Sequence, residues 1–90
     1  MKVVERTVEV KNKSGLHVRT ATLIAKTALR FLSKVTLLVG DNHANARSVV
    51  DMTRMVTGQG TLVTLRAEGP DAESAVQAIQ SLFEDKFGED

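Results

Sequence analysis

Two histidines and no cysteine limit this 90-residue chain to a small repertoire of nucleophilic and metal chemistry. One of the two stands out by its company. His17 lies in Asn12-Lys13-Ser14-Gly15-Leu16-His17-Val18-Arg19, with an arginine two residues beyond it. An imidazole presents a neutral, nucleophilic nitrogen at physiological pH. Arginine brings a planar fork of donors that matches the oxygens of a phosphoryl group. Gly15 permits close backbone approach or a positive φ just ahead of the ring. By spacing alone two descriptions stay open: a phosphoryl-accepting site, or an exposed loop histidine beside a solvated arginine. His43 has no second histidine or cysteine at ligand spacing, so it reads as a surface residue, and no metal site is expected.

The first description requires an element that begins at His17. Val4, Val8 and Val10 share one parity, with Arg6 as the exception, while Glu5, Thr7 and Glu9 share the other, which predicts a half-buried strand ended by the turn-rich Asn12–Gly15 stretch. From Val18 to Leu32 the apolar positions Ala21, Ile24, Ala25, Ala28 and Leu32 recur at three- and four-residue steps, the stripe of a helix. His17 then falls at the helix N-terminus, where unpaired N–H groups and the positive end of the helix dipole favour a dianion.

Downstream, Val35, Leu37 and Val39 alternate up to Gly40-Asp41-Asn42, and Ala44 and Ala46 continue as a weaker strand of a hairpin. Ser48 precedes Asp51 at relaxed capping-box spacing and opens a short helix with Met52, Met55 and Val56 on one side. Gly58-Gln59-Gly60 ends it. Thr61–Ala67 is β-branched-rich, with Val63, Leu65 and Ala67 on one face. Gly69-Pro70-Asp71 breaks that strand and offers Asp71 as N-cap of a last helix striped by Ala72, Val76, Ile79 and Phe83. Gly88 and its acidic neighbours read as a frayed, solvated tail. The order β-α-β-β-α-β-α predicts an α+β fold, a split-βαβ arrangement with a four-stranded antiparallel sheet and three helices on one face.

Composition narrows the class further. A hydrophobic share of 42% over this length suits one domain, 1–90, with one core. A net charge of +1 without a basic block, and three Phe with no Tyr or Trp, argue against nucleic acid as a partner. No apolar run approaches the roughly 20 residues of a membrane span, and no signal-peptide core is evident, so no membrane insertion and a cytoplasmic location are expected.

Gly15-Leu16-His17-Val18-Arg19-Thr20-Ala21 resembles the phosphorylation signature of the HPr family, the histidine-containing phosphocarriers of the bacterial phosphoenolpyruvate-dependent phosphotransferase system, which runs Gly, aliphatic, His, small, Arg, Pro, small. The likeness extends to element order, chain length, Arg47-Ser48, Gln59-Gly60-Thr61 and Ala67-Glu68-Gly69. It implies the HPr-like open-faced β-sandwich. It implies that His17 takes a phosphoryl group from phosphorylated Enzyme I through Nδ1 and passes it to IIA-type acceptor domains, with Arg19 at the same site, no cofactor, and no stand-alone catalysis. Thr20 departs from the pattern. It replaces a residue that would restrain φ in the first helical turn and adds a hydroxyl.

The resemblance further implies that Ser48, an N-cap by its own spacing, is phosphorylated in members that have an HPr kinase/phosphorylase, where the added charge would lie on the docking surface. It suggests Val18, Arg19, Thr22, Val49, Val50, Thr53 and Arg54 as the contacts of that surface, and nothing in the sequence demands more than a monomer. Two other readings suit parts of the same sequence. A regulatory binding module controlled at Ser48, with little or no relay, would be marked by loss of His17, which is present. An acyl-phosphate hydrolase on a similar fold would use Asn12 to orient water, but it lacks an arginine-bearing loop before the first helix.

Overall fold

The computed structural model describes residues 2–55 and 57–89. Strand β1 (Val3–Glu9) leads into helix α1 (Val18–Ala28), followed by β2 (Lys34–Val39), β3 (Asn42–Asn45), α2 (Val49–Arg54), β4 (Leu62–Glu68), α3 (Ala72–Glu84) and a short 3-10 turn at Lys86–Gly88. The strands form one sheet in the order β1-β4-β2-β3, every neighbour antiparallel. Because β1 and β2 both run against β4, they are parallel to each other with β4 inserted between them, which makes β1-α1-β2 the split unit.

Alternation decides which face is covered. Val8 pairs with Val63, Val35 with Ala67, and Leu37 with both Leu65 and Ala44, so the inward residues of four strands meet on one side. Ala21, Ile24, Ala25 and Ala28 of α1, Met52 of α2, and Ala72, Val76, Ile79 and Phe83 of α3 close over them. The helices occupy that single face and leave an open-faced sandwich. Arg6, which breaks the β1 alternation, reaches α3 and donates to Gln80 Oε1 at 3.1 Å and Glu73 Oε2 at 2.7 Å.

Three expectations change. Helix α1 ends at Ala28 rather than running to Leu32, and Leu32 is 81% exposed instead of belonging to the stripe. The chain turns there to enter β2, and the Phe31 carbonyl accepts from Arg47 Nη2 at 2.6 Å. Asp71 stands at the N-cap of α3 but makes no capping bond with its side chain. Its carboxylate instead accepts the Leu32 N–H at 2.9 Å, the Ser33 N–H at 2.8 Å and the Ser33 hydroxyl, clasping the α1–β2 loop to the start of α3. The tail does not fray. Phe87 is buried with its ring edge-on to Phe83, centroids 4.9 Å apart, continuing the α3 stripe by one more four-residue step. Ser48 caps α2 as expected, accepting the Asp51 N–H at 3.1 Å, and Val56 lies outside the described residues.

The clasp gives the fold an acid-sensitive point. Bonds from the Ser33 hydroxyl, then the Leu32 amide, hold the Asp71 carboxyl below the ordinary aspartate range. A folded value below the unfolded one contributes stability above the unfolded pKa, and that stability is lost as pH falls through the folded value. Asp71→Asn is therefore expected to lower the urea midpoint at pH 7, with the gap to the native chain shrinking once the pH drops below about 4. Urea titrations at pH 7 and pH 3 check this; an equal gap at both would assign the clasp to shape rather than charge.

Candidate functional site

The position of His17 is set before α1 begins. Past the end of β1, the Val10 N–H still donates to the Thr61 carbonyl at 2.9 Å and the Gly60 N–H to the Val10 carbonyl at 2.8 Å, so the chain enters the loop already held to the segment before β4. The loop then tightens. The Gly15 N–H donates to the Asn12 carbonyl at 3.2 Å, and the buried Asn12 amide returns a bond to the Gly15 carbonyl at 2.8 Å. Gly15 has φ +68°, and a Cβ there would land on the Thr57 carbonyl oxygen. Only glycine meets both demands. The next N–H, of Leu16, donates to that same Thr57 oxygen at 3.1 Å, and the Leu16 side chain is buried.

His17 is the N-cap of α1, with extended backbone angles. The Arg19 N–H donates to its Nδ1 at 3.2 Å, and its Nε2 lies 3.1 Å from Glu89 Oε2. These partners assign the proton: Nδ1 keeps its lone pair toward the first turn of α1, and Nε2–H donates to the carboxylate. Thr20 completes the cap reciprocally. Its hydroxyl accepts the His17 N–H at 3.0 Å and donates to the Gly15 carbonyl at 3.1 Å. Thr20 is fully buried, so its hydroxyl supplies the restraint on the first turn that the resemblance assigns to proline.

Arg19 lies beside the ring but is turned toward the C-terminal tail. Its Nε and Nη2 donate to Glu89 Oε2 at 3.0 and 2.6 Å, and Nη2 also donates to the Phe87 carbonyl at 3.2 Å. The other oxygen of Glu89 accepts from Asn12 Nδ2 at 2.9 Å. Bonds from Arg19, then Asn12, hold the Glu89 carboxyl below the ordinary glutamate range, so it is ionised at neutral pH and leaves its partners only as the pH falls through that lowered value. Lys86 and Phe87 carry the tail into this position with φ of +54° at each, a left-handed pair that costs on the order of 1–3 kcal/mol per residue and clusters at functional sites.

His17, Arg19 and the opening turn of α1 thus come together as the sequence predicts. The Asn12 amide braces Gly15 and Glu89, and its buried Oδ1 has no hydrogen-bond partner among the described residues. Of the expected contact residues, Val18 is 65% and Val50 59% exposed, Thr53 and Arg54 are exposed, and Val49 turns partly into the core. Thr22 is half-buried and returns its hydroxyl to the Val18 carbonyl at 2.6 Å. His43 lies exposed on β3. No group of three or more His, Cys, Asp or Glu among the described residues could hold a metal ion, and no described helix is long and apolar enough to cross a membrane. Glu89 is the site residue that the sequence did not disclose; its one signal is the four-residue step from Phe83 to Phe87, which anchors the tail just before it.

A family model described as the phosphorylation site of the PTS HPr component matches residues 4–85. The chain is 41% identical to the phosphocarrier protein HPr of Treponema pallidum over 98% of this chain and 100% of that one. It is 40% identical to the phosphocarrier protein NPr of Shewanella violacea over 99% of this chain and 98% of the relative. The crystal structure of an HPr from Thermoanaerobacter tengcongensis superimposes with a TM-score of 0.91 at 42% identity, covering 100% of this chain and 99% of that one. The class is therefore that of phosphocarriers of the phosphotransferase system, proteins that carry a phosphoryl group and are not stand-alone catalysts. The chain belongs to the HPr family.

Thr20 distinguishes this chain at the site and carries a measurable load. Thr20→Val keeps the shape but leaves the His17 N–H without its acceptor, which is expected to cost about 1–2 kcal/mol of stability and to speed exchange of the His17 amide. Denaturant unfolding with amide exchange at His17 checks it; unchanged exchange would mean that another acceptor takes the N–H.

Proposed function

We propose that the chain acts as one phosphocarrier domain that accepts a phosphoryl group on His17 from phosphorylated Enzyme I and passes it to IIA-type acceptors in sugar uptake or regulation. The observation that supports this most is the direction of the His17 Nδ1 lone pair, which faces the opening amides of α1 while Nε2 holds the proton. In the transfer, the Nδ1 pair forms the new N–P bond as the donor's N–P bond breaks and its electron pair returns to the donor ring nitrogen. The Nε2 proton stays where it is. Phosphoryl transfer passes through a loose transition state, so the protein's part is positioning and charge stabilisation. The first-turn N–H groups, the helix dipole and the nearby Arg19 guanidinium suit the equatorial oxygens.

Partners would dock around Val18, Arg19, Thr22, Val49, Val50, Thr53 and Arg54. Exposed Val18 and Val50 with Arg19 and Arg54 provide the apolar centre and arginine rim of a transient interface. A donor and then an acceptor must use this one face in turn, which favours a monomer, and a relay fed by Enzyme I would place it in the cytoplasm. Ser48 lies at the start of α2, directly before Val49 and Val50 of that face. Phosphorylation there by an HPr kinase/phosphorylase would add up to two negative charges at the docking surface and slow the relay.

Intact mass after incubation with phosphoenolpyruvate, magnesium and Enzyme I tests the proposal. One acid-labile phosphate is expected on the native chain, none on His17→Ala, and a rate lowered roughly 100-fold in Arg19→Ala. No gain with a donor proven active on another carrier would reject the relay and leave the regulatory module, with Ser48 as its switch.

A further inference from the structure

We infer that Asn12 is a positioning residue for phosphoryl acceptance at His17, acting together with Thr20 through the one carbonyl they share, that of Gly15. The inference rests on the carrier reading of His17 and adds to it a residue bonded to the backbone ahead of the ring rather than to the ring.

Asn12 closes on Gly15 from both sides. Its carbonyl accepts the Gly15 N–H at 3.2 Å, and its side-chain amide donates to the Gly15 carbonyl at 2.8 Å. The Thr20 hydroxyl reaches the same oxygen from the first turn of α1 at 3.1 Å, nearer than its alternative acceptor, the His17 carbonyl at 3.3 Å. The N–H end of that peptide, on Leu16, is held by the Thr57 carbonyl. Both polar ends of the Gly15–Leu16 peptide are therefore fixed, and His17 is the next residue. The link runs on to the histidine itself. The hydroxyl that donates to Gly15 accepts the His17 N–H at 3.0 Å, and a hydroxyl engaged as a donor is the better acceptor. Asn12 amide, Gly15 carbonyl, Thr20 hydroxyl and His17 N–H thus form one chain of three hydrogen bonds.

Burial marks this chain as more than a solvated turn, since Asn12 and Thr20 are both fully buried. Asparagine is a poor choice for filling that space alone, because its Oδ1 is left there without a hydrogen-bond partner among the described residues. What the residue contributes is its amide, and one of the bonds that the amide makes orients the carbonyl on which the Thr20 hydroxyl turns. Phosphoryl transfer asks the protein chiefly for position, so a small rotation of the His17 backbone that carries Nδ1 away from the Arg19 N–H it faces slows the step.

Phosphoryl acceptance at Nδ1 is measured in the native chain, Asn12→Ala, Asn12→Asp, Thr20→Val, Thr20→Ser and the Asn12→Ala/Thr20→Val double variant, under conditions where urea titration shows each to be folded. Phosphorylated Enzyme I as donor gives kcat and KM, and phosphoramidate, a small donor with no surface to dock, gives an intrinsic rate. A kcat lowered roughly tenfold is expected in Asn12→Ala and Thr20→Val, with KM within about twofold of native and the same loss toward phosphoramidate. Asn12→Asp keeps the shape and, ionised, has no proton for the Gly15 carbonyl, so the same loss is expected of it. Thr20→Ser keeps the hydroxyl and is expected to react at the native rate. The double variant is expected to lose no more than about twofold beyond the worse single one, because both act through one carbonyl. Native rates in the Asn12 variants, a raised KM at unchanged kcat, or losses that multiply in the double variant overturn the inference. The phosphoramidate arm needs no Enzyme I. A native chain that accepts from phosphoramidate alone loses the relay reading, and the phosphoramidate rates then decide the inference; no phosphate from either donor overturns both.

Discussion

The close approach of Gly15 to the Thr57 carbonyl determines where α1 can begin, and the placement of His17 follows from it. Two consecutive residues meet that oxygen, Gly15 by lacking a Cβ and Leu16 by donating its N–H. The loop before α1 is thereby fixed to the segment before β4, and β4 is the strand that pairs with both β1 and β2. The histidine is attached through one backbone seam to the most heavily paired strand of the sheet. A site on a loop gains the rigidity of a strand by this route, which positioning chemistry requires.

Most of the fold was legible because it depends on periodicity. The alternation of Val35, Leu37 and Val39 and the three-four spacing of Ala21, Ile24, Ala25 and Ala28 report on a buried face wherever they occur, and a sheet with helices on one side is the arrangement that buries all of them together. Boundaries were less legible for an equally physical reason. Leu32 continues the helical spacing in sequence, but its backbone N–H is taken by Asp71, thirty-nine residues away. No local pattern encodes that partner. The same carboxylate shows how a side chain with a correct local role, the N-cap of α3, is drawn into a long-range one when two orphan amides lie within reach.

The site divides along the same line. His17, Arg19 and the helix that begins at them are neighbours in the chain, so spacing brought them forward as candidates and the resemblance chose between the two descriptions left open. Thr20 was visible as a departure from the family pattern, and the geometry supplies its compensation: a hydroxyl bonded to the His17 N–H restrains the first turn through a hydrogen bond where a ring would restrain it covalently. Glu89 was hidden because its acidic surroundings resemble a solvated end, and acidity in a terminal segment is ordinarily a mark of exposure. What overrides that prior is one aromatic residue. Burial of the Phe87 ring returns the chain to the core, and the three groups that meet Glu89, from Asn12, His17 and Arg19, then find it at hydrogen-bond distance.

A carrier differs from a binding site in that it must give up what it accepts, and the exposure of these groups bears on that requirement. His17 and Arg19 have side chains 37% and 54% exposed, whereas Glu89 is 17% exposed. Charges at such a surface interact through a high effective dielectric, so each contact with a phosphoryl oxygen is worth far less than it would be in a closed pocket. Deep burial of the arginine would deepen the phosphorylated ground state and slow onward transfer, because only interactions stronger in the transition state accelerate the step. A half-exposed guanidinium with a carboxylate on hand moves in the opposite direction. The open position of the site thus favours passage over retention.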